Sequence, residues 1–196
     1  MATLATVIQP TQTPILLADV VGRLASGYVN LYSKMPPKDL LAFAAAMIGV
    51  ENNGGANIWA GNVGNITSPD GVSPTGRVWA ANGLLFIAYD TIAEGIEAWW
   101  QLMFRKYAQV LVDGAMGQPE TAVRDLFRLG YLGSVTTPEQ EKNYVAGVRR
   151  YLKQTEPFAR KVTNYTARPY VGAAVAGGSA FTLVLLTYLS SRGGLL

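Results

Sequence analysis

Apolar residues recur at helical spacing in five stretches of this chain. Leu16, Val20, Leu24 and Val29 share a face over residues 15–32. Leu40, Ala44, Met47 and Ile48 share another on a helix that Pro36-Pro37 opens and Asp39 favours in its first turn. Ile92, Ile96, Trp99, Met103 and Tyr107 predict a third helix over about residues 91–112, and two more are expected near 119–128 and 138–152. Between the second and third, residues 54–83 are dense in Gly, Asn, Pro and Ser, and only 63–66 and 77–80 could pair as strands. The expected fold is mainly α, a helical domain with a small loop- and β-rich lobe. Residues 1–14 read as a loose arm. The expected organisation is therefore an arm and short helix over 1–35, a main domain over 36–155, a basic linker over 156–170, a C-terminal hydrophobic helix over 171–189 and a tail over 190–196.

Residues 171–189 carry no charge, and at about 1.5 Å per residue they would span roughly 28 Å, close to a bilayer core. Arg168 and Arg192 flank the run and Tyr170 and Tyr188 sit at its ends, as interfacial anchors do. It reads as a membrane-inserting segment. Gly172, Gly177, Gly178 and Ser179 dilute its hydrophobicity and leave a buried core helix or a Gly/Ala tail as the alternatives. Residues 1–14 lack the basic and apolar regions of a signal peptide.

The chain has 196 residues, 49% of them hydrophobic, which suits one core. It contains neither cysteine nor histidine, so disulfides, thiolate chemistry and a Ser-His triad are excluded, and zinc loses its usual ligands. No cofactor or metal is expected, and hydrolytic chemistry must run on carboxylates. Net charge is only +3, but Lys142, Arg149, Arg150, Lys153, Arg160, Lys161 and Arg168 crowd the stretch before the last apolar run. That stretch lacks interleaved aromatics, and no Walker-type loop is present, so no specific nucleic-acid partner is expected.

Glu51 stands where an apolar helix gives way to Asn52-Asn53-Gly54-Gly55, and it continues the buried stripe. A carboxyl group emerging from an apolar face loses solvation of its charged form, so its pKa rises and it can stay protonated near neutral pH. A glycosidase general acid needs this property. A plain solvated glutamate at a helix end is the alternative.

In order along the chain come Glu51, then Gly61-Asn62-Val63-Gly64-Asn65-Ile66, then Phe86-x-x-Tyr89-Asp90-Thr91-x-x-Glu94-Gly95, Gly130-Tyr131, and Asn143-Tyr144-Val145 before Val148. This series resembles the glucosaminidase and lytic transglycosylase branch of the lysozyme superfamily. The resemblance covers about residues 36–152 and lies in the order of the motifs rather than in any one of them. It implies a lysozyme-like fold and cleavage of the glycan strands of peptidoglycan, with Glu51 protonating the glycosidic oxygen. It places Asn62 and Asn65 along the cleft, where amides can donate to and accept from sugar groups; both also suit turns. It sets Tyr89 opposite the glutamate as a catalytic residue that orients the sugar or stabilises developing charge, with a core role as the alternative, and Tyr131 on the substrate. Asp90-Thr91-x-x-Glu94 reads as a capping box. Among the four tryptophans, Trp59 in the loop lobe is the preferred sugar platform, while Trp99 reads as core.

A second carboxylate, about 5 to 9.5 Å from the first, would serve an inverting or retaining hydrolase. Only Asp70 lies in the loop lobe, within the turn signature Ser68-Pro69-Asp70-Gly71. Without it, one glutamate can act as acid and then base, as in lytic transglycosylases. The expected partners are peptidoglycan glycan strands, a membrane through the C-terminal segment, and other proteins of a phage virion. The rival readings are a non-catalytic structural or ejection-channel protein of a virion and a holin-like membrane protein. The expected location is virion-associated or membrane-anchored.

Overall fold

Every residue from Leu40 to Gly49 is buried in helix α2 (Lys38–Glu51). A helix apolar on all sides cannot lie on a surface and must be wrapped by others. In the computed structural model, which describes residues 5–68, 73–131 and 137–166, that wrapping comes from α1 (Leu17–Tyr32), α4 (Ala108–Ala115) and α6 (Pro138–Thr166). Close approach is bought with small residues: a Cβ at Gly49 would meet the Tyr151 ring of α6, and one at Gly114 would overlap Phe43. Thr155 of α6, fully buried, donates its hydroxyl to the carbonyl of Ala42 at 2.9 Å.

Helices α3 (Ile92–Lys106) and α5 (Pro119–Arg128) complete a mainly α-helical body, with Trp99 and Trp100 at 0% exposure in its core. The core position expected for Trp99 is thus observed, and the Trp100 indole donates to the Leu24 carbonyl at 3.0 Å. Thr91 caps α3, its Oγ1 accepting from the Glu94 N–H, while the Glu94 carboxylate accepts from the Asp90 N–H, one residue before the cap, so the expected capping box is present in a form shifted by one residue.

A three-stranded sheet forms the minor lobe, in the order β1 (Thr6–Val7), β2 (Arg77–Ala81), β3 (Leu84–Ile87). Strands β2 and β3 are antiparallel and joined through Asn82-Gly83, both with positive φ, as a two-residue hairpin of primed type requires. Strand β1 runs parallel to β2, pairing Thr6 with Arg77 and Val7 with Val78.

Several expectations are corrected. Residues 5–16 are no loose arm: Thr13 and Ile15 donate to the carbonyls of Ile58 and Gly55, and Ala60 donates to Thr11. Those exchanges satisfy loop-lobe backbone that has no ladder of its own. No domain boundary falls near residue 35, because Val20, Val21 and Leu24 of α1 are in the same core as α2. Residues 63–66 form no strand; their geometry is set by side-chain bonds described below. The third predicted helix breaks at Tyr107 (φ −127°, ψ 29°), which turns its buried ring edge-on to Tyr131. The helix expected to end near residue 152 continues to Thr166, so most of the expected linker is helix, Pro157 included. Residues 171–189 and Asp70 lie outside the described residues, among which no helix is long and apolar enough to cross a membrane.

Candidate functional site

The last residue of α2 opens onto a groove of about 960 Å³ between the helical body and the sheet lobe. Glu51 lines it. The two carboxyl oxygens are held separately: the Tyr144 hydroxyl donates to Oε1 at 2.7 Å, and the Asn65 amide donates to Oε2 at 3.1 Å. The same amide reaches the Glu51 backbone carbonyl at 3.1 Å, so Asn65 fixes both ends of the residue. Burial pushes the Glu51 pKa up, and the bonds from Tyr144 and Asn65 pull it partly back. The carboxyl is therefore biased toward its protonated form while keeping two donors that receive the carboxylate when the proton leaves.

Asn65 reaches this place because the loop before it is tied down from several sides. Its own φ is 48°, in the left-handed region that asparagine tolerates. Asn52, fully buried, donates to the carbonyl of Val63. Asn62 is 1% exposed; its Oδ1 accepts from the Ile66 N–H at 2.8 Å, and its Nδ2 donates to the Ile66 and Ile87 carbonyls, both at 2.9 Å. Every bond of this side chain is spent on backbone. A Cβ at Gly64 would collide with the Trp99 indole, and one at Gly95 with the Gly61 carbonyl, so these glycines let the loop lie directly on α3.

Of the residues expected at the site, Glu51, Asn65, Trp59 and Tyr131 line the groove together. Asn62 does not, and its binding role is replaced by the structural one just described. Tyr89 is 8% exposed and packs against Gly61 and Gly95 behind the loop, away from the groove lining. Burial there raises its pKa to about 12. Tyr131 presents its ring to the groove, but its hydroxyl donates to the Gly64 carbonyl and accepts from the Trp99 indole, each at 3.2 Å. Burial, with the negative Glu51 nearby, lifts the pKa values of both Tyr131 and Tyr144, keeping them protonated as donors.

Part of the groove wall is aromatic. Trp79 of β2 and Phe86 of β3 are direct cross-strand partners, stacked with centroids 4.6 Å apart, and Trp59 lies 6.5 Å from Trp79. Neutral amides of Gln9, Asn57 and Asn82 are spread along the lining. Glu51 is the sole carboxylate among the described lining residues, and Lys106, set over the Tyr107 ring at 5.1 Å, is the sole cation. Among the described residues no group of three acidic side chains is placed to hold a metal ion.

Sequence reasoning assigned no site role to Tyr144, although it stood in the last motif, or to Phe86, Lys106 and Gln9. Tyr144 gave one usable signal: a tyrosine on the buried stripe with Val148, Tyr151 and Thr155 must find a partner for its hydroxyl. No family model matches this chain, and neither a curated protein nor a solved structure matches it.

Proposed function

We propose that this protein cleaves the glycan strands of bacterial peptidoglycan, with Glu51 as the general acid. The observation that carries the reading is a part-buried carboxyl whose pKa burial raises, gripped by Tyr144 and Asn65, on a groove also lined by Trp59, Trp79 and Phe86. Aromatic faces suit the apolar faces of pyranose rings, and the spread amides suit acetamido and hydroxyl groups. The order of motifs along the chain points to the same activity.

With one carboxylate on the described lining, a single-residue mechanism fits these residues best. Glu51 gives its proton to the glycosidic oxygen as the C1–O bond breaks. The resulting carboxylate, stabilised by the Tyr144 and Asn65 donors, then takes the proton of the substrate's own 6-hydroxyl as that oxygen bonds to C1. The products are an anhydro-sugar end and a free 4-hydroxyl.

The test is turnover of purified peptidoglycan by the full chain, comparing wild type with Glu51→Gln and identifying released ends by mass spectrometry. We expect anhydro ends from wild type and a loss of at least about 100-fold in the variant. Reducing ends would indicate a hydrolase with a second base. Wild-type protein that binds the polymer and releases nothing would replace the enzyme by a structural glycan-binding protein.

A further inference from the structure

We propose that the solvent face of α6 between Lys142 and Lys161 docks the protein on an anionic lipid surface; this is independent of the glycan-cleaving reading. At 100° per residue, Lys142, Arg149, Lys153 and Arg160 fall within about 40° of one another, and Arg150 and Lys161 lie about 60° further round. All six are exposed, whereas Tyr144, Val148, Tyr151, Thr155 and Ala159 on the other side are buried. Arg149 is paired with Glu120 of α5, and Arg150 sits 4.7 Å over the Tyr151 ring. Lys142, Lys153, Arg160 and Lys161 make no ion pair among the described residues. Glu139 lies at one end of the face and Glu156 at its edge.

The result is a basic stripe about 28 Å long on a helix that includes Pro157, a shape that matches an extended negative plane better than a small anion. Phe158, 38% exposed, stands on its shoulder beside Lys161, where an aromatic ring can enter a headgroup layer. The stripe carries no run of interleaved aromatics for stacking on bases. The 30 residues of sequence after Thr166 include the charge-free run 171–189, so the basic face precedes an apolar segment in the chain, the order in which juxtamembrane basic clusters meet anionic headgroups.

The experiment is vesicle sedimentation of the full chain with phosphatidylcholine alone and with one quarter phosphatidylglycerol, in low and high salt. It compares wild type, Lys153→Gln/Arg160→Gln/Lys161→Gln, and a control with the same charge change elsewhere, Arg23→Gln/Lys38→Gln/Arg105→Gln. Circular dichroism verifies that each variant is folded. We expect wild type to prefer the anionic vesicles, high salt to remove the preference, the stripe variant to lose it by about 100-fold, and the control to keep most of it. Equal loss in stripe and control variants would reduce the effect to net charge and overturn the proposal. So would equal wild-type binding to both vesicles, or stripe-dependent binding of duplex DNA tighter than that of anionic vesicles.

Discussion

The hydroxyl of Tyr144 donates a 2.7 Å hydrogen bond to the carboxyl of Glu51 across 93 residues of sequence, joining the second turn of α6 to the last residue of α2. That bond favours the charged form of the glutamate against the burial that disfavours it. Removing it with Tyr144→Phe is predicted to raise the Glu51 pKa further, because the opposing donor is gone while the desolvation remains. A general acid acts in its protonated form, so the basic limb of the kcat/KM profile should move to higher pH. The maximal rate should fall by about 10- to 100-fold, the worth of one hydrogen bond to a charged group. A pH–rate profile of the variant checks both; a limb that stays in place would separate Tyr144 from the titration of Glu51.

The raised Glu51 pKa has a linked effect on stability. A carboxyl with a folded pKa above its unfolded value favours folding fully only below the unfolded value. As pH rises through the folded pKa, that contribution is lost. The melting temperature of Glu51→Gln minus that of wild type is therefore predicted to grow as pH rises from about 4 toward neutrality and then to level off. Thermal denaturation across that range is the measurement, and a pH-independent difference would contradict the burial described for Glu51.

Asn62→Ala is predicted to destabilise the fold by about 2–4 kcal/mol, since the Ile66 N–H and the Ile66 and Ile87 carbonyls lose their side-chain partner together. Urea denaturation measures this. Affinity for glycan fragments should be unchanged at temperatures where the variant is fully folded, which a binding role for Asn62 would not allow.

Trp59→Ala is predicted to weaken binding of glycan fragments several-fold, about 1 kcal/mol, with little loss of stability, because its ring is only half-buried at the groove edge. Isothermal titration with soluble fragments and the folded protein would show it. The cross-strand pair Trp79 and Phe86 is not equivalent: Trp79 is 7% exposed and stacked within the sheet, so its removal should cost stability as well as affinity.

Helices were legible where an apolar run or a start signal was strong. Leu40 to Ile48 announced α2, and Thr91 with Glu94 announced the start of α3. Tyr107 hid the break after α3, because a tyrosine on the apolar stripe looks the same whether the helix continues or turns to pack the ring on Tyr131. The N-terminal strap was illegible for a different reason: residues 5–16 are held mostly by backbone bonds to 55–60 and 76–78, which leave no mark on side-chain pattern. Glu51 stood out because an acidic residue on an apolar stripe is costly without a use. Asn62 and Asn65 could not be told apart in sequence. They differ in the partners the fold supplies, three backbone groups for one and a carboxylate for the other.

Gln9 and Pro10, early in the chain, line the groove, and Tyr144, in the last helix, donates to the Glu51 carboxyl that opens onto it. During synthesis Gln9 and Pro10 leave the ribosome early but have no wall to join until residues 55–60 and β2 follow, and Glu51 waits longer still, for α6. A nascent chain that stops short of α6 carries its glutamate without the helix that covers α2 and without the tyrosine that orients it. The surroundings that raise the Glu51 pKa and hold its two oxygens are therefore assembled only once α6 has been made.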